Sequence, residues 1–213
     1  MKYYPVNLDL RERRCVVVGG GLVAERKTLS LLESGAEVTV VSPSLTPKLA
    51  YLVASGKVLQ VPALFQEAHL ANALLVIAAT NDLAVNRAVA QLCRKKGILV
   101  NVAAPPEESS FIVPSVVERG DLVIAISTSG ASPALSKSIR QELEKRYGPE
   151  YGLLLTRLAA VRKRLHDEVG SEEIRRQVLA AIIGSDVLDL LRRGGLQEAD
   201  HLINELLKQH TGL

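Results

Sequence analysis

Apolar residues in the first half of the chain occur in two alternating patterns, short β-branched runs and longer stretches with helical spacing. Five runs predict β-strands: RCVVV, EVTVVSP, KVLQVPA, ALLVIAATND and ILVNV. Helical spacing begins at Leu22 and at Leu83, and these segments end at Gly35 and Gly97, which are typical helix stops. Strands that alternate with helices form parallel βαβ units, so residues 1–112 are predicted to be a Rossmann-like, doubly wound α/β sheet.

The second half of the chain has a different pattern. Two apolar runs flank Arg119-Gly120-Asp121 and predict a pair of strands joined by a turn. The next helix is delimited by Ser132 as N-cap, Pro133 at its first position and Gly148 beyond its end. Because a small appendage cannot bury such apolar strands alone, we expect a homodimer built by residues 113–147, a strand–helix dimerisation segment, together with the helical tail.

The remaining residues, 148–213, have almost continuous helical spacing. They are predicted to form a C-terminal helical domain.

Composition narrows the class of protein. The net charge of +3 gives no reason to expect nucleic acid binding. The apolar runs are strand-length, far below the ~20 residues that span a bilayer, and no signal peptide is visible, so no membrane association is expected. Cys15 and Cys93 are typical of buried thiols in a cytoplasmic protein. No metal site is predicted, because these histidines are scattered: His69, His166, His201 and His210.

A glycine-rich loop lies between the first predicted strand and the first predicted helix. It matches G-x-G-x-x-A at Gly19, Gly21 and Ala24. The first glycine allows a tight turn, the second lets a pyrophosphate approach the backbone, and the helix N-terminus attracts phosphate. The alternative is a strand-to-helix turn without a ligand. The residues predicted to bind a dinucleotide here are Gly19, Gly20, Gly21, Leu22 and Val23.

The loops after the second and fourth strands lie at the same edge of the predicted sheet. An acidic residue usually ends the second strand and binds ribose, but here the chain reads Ser42-Pro43-Ser44. Either serine can bond a ribose hydroxyl and neither repels a 2′-phosphate, so these residues do not distinguish NAD from NADP. Thr80 and Asn81 follow the fourth strand and are predicted either to contact the cofactor or to cap the next helix.

Longer segments of the chain resemble a known family. The segments are YPVNLDLRERRCVVVGGGLVAERK, GAEVTVVSP, AATND, SFIVPSVVERGDLVIAISTSGASPALSKSIRQELE and the helical tail. They are similar to the precorrin-2 dehydrogenase family, the NAD-dependent module of sirohaem synthase. The resemblance implies NAD-dependent oxidation of precorrin-2 to sirohydrochlorin by a homodimer, in a stand-alone form without a methyltransferase domain. Some members of the family also insert ferrous iron.

The resemblance also implies a substrate-binding loop before the helix that begins at Pro133. Its hydroxyls and free amides suit the acetate and propionate groups of a tetrapyrrole, and Arg119, Lys137 and Arg140 offer positive charge. The alternative is an ordinary serine-rich turn beside a solvated helix. The residues predicted to bind substrate are Ser127, Thr128, Ser129, Gly130 and Ser132.

One position departs from the family pattern. Many members carry an aspartate just after the fifth strand, regarded as the general acid or base, and Ala104 stands there in this chain. Glu107 and Glu108 follow the rigid Pro105-Pro106 step and are the candidate catalytic replacements; a solvated acidic turn is the alternative. We therefore expect dehydrogenation to persist and iron insertion to be weak or absent.

Two other functions are compatible with these residues. The chain can be a non-enzymatic dimer that senses NAD, or a dehydrogenase of another small substrate. An anaerobic assay with precorrin-2 distinguishes the first of these from the enzyme, because a sensor binds NAD without forming NADH.

Overall fold

A computed structural model describes residues 2–212, which form two compact units. The first unit ends at Val113 and the second begins at Pro114. The strands of the first unit are β1 Arg14–Val18, β2 Glu37–Val41, β3 Leu59–Val61, β4 Leu75–Ala78 and β5 Leu99–Val102. Its helices are α1 Leu22–Glu33, α2 Pro47–Ala54 and α3 Leu83–Lys96.

The five strands form one parallel sheet in the order β3-β2-β1-β4-β5. Alternate side chains of a strand point to opposite faces, so Val17 belongs to one core cluster while Val16 and Val18 belong to the other. Helix α1 covers the first cluster through Ala24, and α3 covers the second through Val89. Helices on both faces confirm the predicted Rossmann-like, doubly wound α/β class.

Local signals set the ends of α3. The Asp82 carboxylate accepts hydrogen bonds from the backbone N–H groups of Ala84 and Val85, which have no acceptor within the helix. The helix ends at Gly97, whose φ of 68° lies in the left-handed region that glycine adopts easily. The helix therefore spans the predicted residues, 83–96.

In the second unit, residues 114–212 form an antiparallel hairpin and five helices, which confirms the predicted strand pair and helical C-terminal region. Its elements are β6 Ser115–Arg119, β7 Leu122–Ile126, α4 Pro133–Arg146, α5 Glu150–Glu168, α6 Glu172–Ile183, α7 Val187–Arg192 and α8 Leu196–Thr211. Ser132 caps α4 as predicted, because its hydroxyl accepts the N–H of Leu135. The division of this unit into a dimerisation segment, 113–147, and a helical domain, 148–213, stays a prediction.

Within residues 2–212, no helix is both long and apolar enough to cross a membrane.

Candidate functional site

The carboxyl ends of β1 and β4 mark the point where the order of the sheet reverses. The chain proceeds from β1 outward through β2 and β3, and then returns to β4 on the other side of β1. The last residues of three strands lie side by side there, since Val18 pairs with both Val41 and Ala78. Doubly wound sheets bind ligands in the crevice at this point. The loops after β1, β2, β4 and β5 are therefore the candidate site.

Three consecutive glycines follow β1, and at two of them the packing of neighbouring backbone leaves no room for a side chain. Gly19 has a φ of 120°, and a Cβ there would lie 2.3 Å from the carbonyl oxygen of Ala79. A Cβ on Gly20 would lie 1.9 Å from the carbonyl oxygen of Ser44. Gly21 differs: its φ is −85°, and among residues 2–212 no atom outside Gly21 and its two chain neighbours lies within 4 Å of an added Cβ. Glycine at position 21 leaves open space above the first turn of α1, as a pyrophosphate requires.

The N-terminus of α1 also lacks a side-chain cap. The other two helices of this unit are capped by the side chains of Thr46 and Asp82, but the N-cap of α1 is Gly21, which has no side chain. The first N–H groups of α1 therefore keep their donor capacity and the positive end of the helix dipole. This arrangement fits the pyrophosphate of a dinucleotide.

The loop after β2 is held tightly against the glycine loop. The N–H of Thr46 donates to the carbonyl of Gly20 over 3.0 Å, and the Thr46 hydroxyl donates to the Glu25 carboxylate over 2.5 Å. Ser42 is buried, and its hydroxyl donates to the Ser44 carbonyl over 2.7 Å. The hydroxyl proton of Ser42 is thus used inside the loop, whereas Pro43 and Ser44 are exposed. Of the two predicted serines, Ser44 has the more accessible hydroxyl for a ribose.

The loop after β4 is organised by a residue that the sequence did not indicate. The N–H of Thr80 and its hydroxyl both donate to the side-chain oxygen of Asn86, over 3.1 and 2.8 Å. Asp82, rather than Thr80 or Asn81, is the N-cap of α3. Asn81 is exposed at the edge of the sheet. The structure therefore favours Asn81 over the Thr80 side chain for contact with a ligand.

Ala104 and the two predicted glutamates follow β5. Ala104 is exposed, and one turn of 3-10 helix spans Pro106–Glu108. The Glu108 carboxylate lies 2.7 Å from the guanidinium of Arg94, which also donates to the Glu108 carbonyl over 3.0 Å. Arg94 is in the last turn of α3, which leads to the start of β5. The Glu108 carboxylate is therefore engaged by an ion pair, whereas Glu107 is exposed.

The chain then runs back along β5. The hydroxyl of Ser109 accepts the N–H of Val102, and that of Ser110 accepts the N–H of Val100, each over 2.8 Å. These serines satisfy donors on the outer edge of the sheet.

The predicted substrate loop of the second unit is a tight, exposed turn. The N–H of Ala131 donates to the carbonyl of Thr128, and the central residues Ser129 and Gly130 have φ values of 54° and 88°. The Thr128 hydroxyl accepts the N–H of Ser132 and is bonded within the turn. Ser127, Ser129 and Gly130 are exposed, whereas Thr128 serves the turn itself.

Two of the three basic residues predicted near this loop have structural partners. Arg119 donates to the carbonyls of Tyr147 and Glu144 at the end of α4. Arg140 pairs with the Glu144 carboxylate one turn along the same helix. Lys137 is exposed and is the more available cation of the set.

The two cysteines are fully buried. Burial raises the pKa of both Cys15 and Cys93 from 9.0 to about 11. Both side chains are therefore neutral thiols at neutral pH and are packed in the core of the first unit. Among the described residues, no group of three or more His, Cys, Asp or Glu side chains is arranged to hold a metal ion.

The strand order and the open, uncapped glycine loop define a dinucleotide-binding protein of the Rossmann class. Residues 6–115 match a family described as NAD(P)-binding, and residues 119–146 match the central domain of sirohaem biosynthesis proteins. The solved structure of SirC, precorrin-2 dehydrogenase, is 32% identical in sequence to this chain and superposes on it with a TM-score of 0.80. The match covers 95% of this chain and 100% of the SirC chain. The chain belongs to the precorrin-2 dehydrogenase family.

Curated relatives are named as sirohaem synthases. Siroheme synthase of Methylobacillus flagellatus is 39% identical over 97% of this chain and 44% of its own length. Siroheme synthase 1 of Aeromonas salmonicida is 38% identical over 100% of this chain and 46% of its own length. The chain thus spans less than half the length of these relatives.

Proposed function

We propose that this chain is an NAD-dependent precorrin-2 dehydrogenase, which removes two hydrogens from precorrin-2 to give sirohydrochlorin in sirohaem biosynthesis. The observation that carries the proposal is the likeness to SirC over nearly the whole of both chains. The open space above Gly21 and the uncapped start of α1 support the cofactor part independently. A cytoplasmic location stays a prediction from the sequence.

NAD is proposed as the cofactor in preference to NADP. The support for NAD is the family resemblance. The residues at the end of β2 do not decide between the two cofactors, because they offer the hydroxyl of Ser44 to the adenosine ribose and carry no carboxylate. Gly19, Gly20 and Gly21, with the N–H groups of Leu22 and Val23, would hold the pyrophosphate. Asn81 would lie beside the nicotinamide half, since its loop is on the opposite side of β1 from the β2 loop.

The exposed turn before α4 is proposed to bind the substrate. Ser127 and Ser129 present hydroxyls, and Gly130 brings backbone close to the surface without a side chain. The acetate and propionate groups of precorrin-2 are acceptors for such donors and for the ammonium of Lys137. Thr128 and Ser132 would contribute by holding the turn, in keeping with their hydrogen bonds.

The oxidation separates two hydrogens of the macrocycle into a hydride and a proton. NAD, held by the glycine loop, would supply the hydride acceptor. We propose Glu107 as the group that receives the proton, because Glu108 is paired with Arg94 and Ala104 has no proton-accepting side chain. A positioned acid or base typically contributes ~10²–10⁴-fold, so orientation of the reactants supplies much of the remaining acceleration. Iron insertion is proposed to be weak or absent.

The test is an anaerobic assay of the full chain with precorrin-2 and either NAD or NADP, with and without ferrous iron. NADH and sirohydrochlorin should form in equal amounts, faster with NAD, and little sirohaem should follow when iron is added. Calorimetric binding of NAD without NADH formation would favour the sensor. Absence of both binding and turnover would refute the proposal.

A further inference from the structure

Asn86 is a fully buried polar residue in the first turns of α3, with 0% of its surface exposed. Its side-chain oxygen accepts hydrogen bonds from the N–H and the hydroxyl of Thr80. Its side-chain nitrogen donates to the carbonyl of Thr80 over 3.1 Å and to the carbonyl of Ala104 over 2.9 Å. The amide uses both of its donors and accepts the Thr80 N–H, while the single proton of the Thr80 hydroxyl is shared between the Asn86 oxygen and the carbonyl of Asp82, 2.8 and 2.9 Å away.

This pattern fixes the orientation of the amide. The N–H of Thr80 can only donate, so the atom it meets must be the oxygen of Asn86. The carbonyls of Thr80 and Ala104 can only accept, so they must face the nitrogen. A glutamine would be too long for the same space, and an aspartate would have no donor for either carbonyl.

Asn86 joins two loops beyond the point where the sheet itself joins them. The pairing of β4 with β5 ends at Ala78 and Val102, followed by one bond from the Ala103 N–H to the Ala78 carbonyl. After that, the side chain of Asn86 connects the loop that contains Thr80 to the loop that contains Ala104.

These two loops lie on one side of the glycine loop. If the pyrophosphate binds at the start of α1, the adenosine half of the dinucleotide would be held on the β2 side of β1 and the nicotinamide half on the β4 and β5 side. The distance between the β4 and β5 loops would therefore set how these residues hold the nicotinamide relative to the loop of Ala104 and Glu107.

We propose that Asn86 is a positioning residue for hydride transfer, because it fixes the β5 loop against the β4 loop beside the nicotinamide. The inference rests on the proposed dehydrogenase function for its kinetic part. Misplacement of reacting groups by ~1 Å can cost ~10²-fold in rate, and binding of the adenosine half should not depend on this bridge.

The primary variant is Asn86→Asp, which keeps the size of the side chain and removes both donors. Asn86→Ser is a second variant that keeps one donor and so can serve at most one of the two carbonyls. The control is Val89→Ala, which truncates a fully buried side chain of the same helix that belongs to the core cluster of Val16 and Val18. Each full-length protein is measured for thermal unfolding, ADP-ribose affinity, kcat and KM of NADH formation, and hydrogen exchange of residues 79–82 and 103–108.

Asn86→Asp should lower kcat by ~10–100-fold while ADP-ribose affinity stays close to wild type, and hydrogen exchange should rise in both segments together. Asn86→Ser should change kcat and hydrogen exchange in the same direction but to a smaller extent. It takes the place of Asn86→Asp in the test if the aspartate variant does not fold. Val89→Ala should lower the unfolding temperature and leave kcat and both segments unchanged. An unchanged kcat in the Asn86 variants, or an equal loss in Val89→Ala, would overturn the proposal. If the wild-type protein forms no NADH, the proposed function fails and hydrogen exchange alone tests the role of Asn86. Faster exchange of both segments in the Asn86 variants then supports the bridge between the two loops, and any other result refutes it.

Discussion

The three glycines after β1 show how one residue type meets different demands at neighbouring positions. At Gly20 the demand is steric, because an added Cβ would collide with the backbone of the β2 loop. We expect such overpacking to cost about 1–3 kcal/mol of stability. At Gly21 the backbone is ordinary and the space is open, so the fold alone does not explain a glycine there. A ligand that approaches the backbone does explain it.

Gly21→Asp should therefore abolish dinucleotide binding and leave the fold intact. The added carboxylate would occupy the open space and repel the pyrophosphate, so we expect the Kd for NAD to rise at least ~10-fold, or ~1.4 kcal/mol. Calorimetry measures the affinity, and thermal unfolding checks the fold. Gly20→Ala is the matched control, because its added Cβ should lower the unfolding temperature, which Gly21→Asp should leave unchanged. An unchanged NAD affinity in Gly21→Asp would exclude the glycine loop as the pyrophosphate site.

At the scale of elements, the sequence predicted the ends of those helices that are set by residues within one turn of the end. Helix α3 begins and ends as expected because Asp82 and Gly97 act within a turn of the helix. Helix α2 has no counterpart among the predicted elements, since eight residues show too little periodicity, although Thr46 caps it. The ion pair of Glu108 with Arg94 joins residues 14 apart and has no signature in residue spacing. The sequence could therefore not show that Glu108 is ion-paired whereas Glu107 is exposed, although the two residues are adjacent and of the same type.

The turn after β5 yields a prediction about proton transfer. Glu107→Gln should reduce NADH formation from precorrin-2, by up to ~10²–10⁴-fold if this carboxylate is the base. Glu108→Gln is the matched control: it removes the partner of Arg94, a half-exposed pair that contributes at most ~1 kcal/mol, and should leave the rate near wild type. Ala104→Asp should raise iron insertion above the wild-type level. Equal rates in wild type and Glu107→Gln would remove Glu107 from the mechanism.

At the scale of the whole molecule, one largely apolar face of the β6–β7 hairpin is left exposed by the described residues of the second unit. In the β6–β7 hairpin, one face packs on α4 and α5, and the other consists of Val116, Glu118, Val123 and Ala125. Val116 and Val123 are 38% and 49% exposed. A two-stranded sheet is marginally stable alone and has a free edge on each strand. These features support the predicted homodimer, in which the hairpin of a second copy covers this face.

Light scattering at micromolar concentration should accordingly give a mass twice the 23.0 kDa of the chain. Val123→Arg should shift the mass toward that of the monomer, because a guanidinium on the outer face cannot be buried against an apolar partner without a large desolvation cost. Leu64→Arg is the matched control, since it places the same charge at an exposed apolar position of the first unit, outside the segments predicted to build the homodimer. The control should remain a dimer. A wild-type mass of one chain, or dissociation by both substitutions alike, would show that the hairpin does not form the interface.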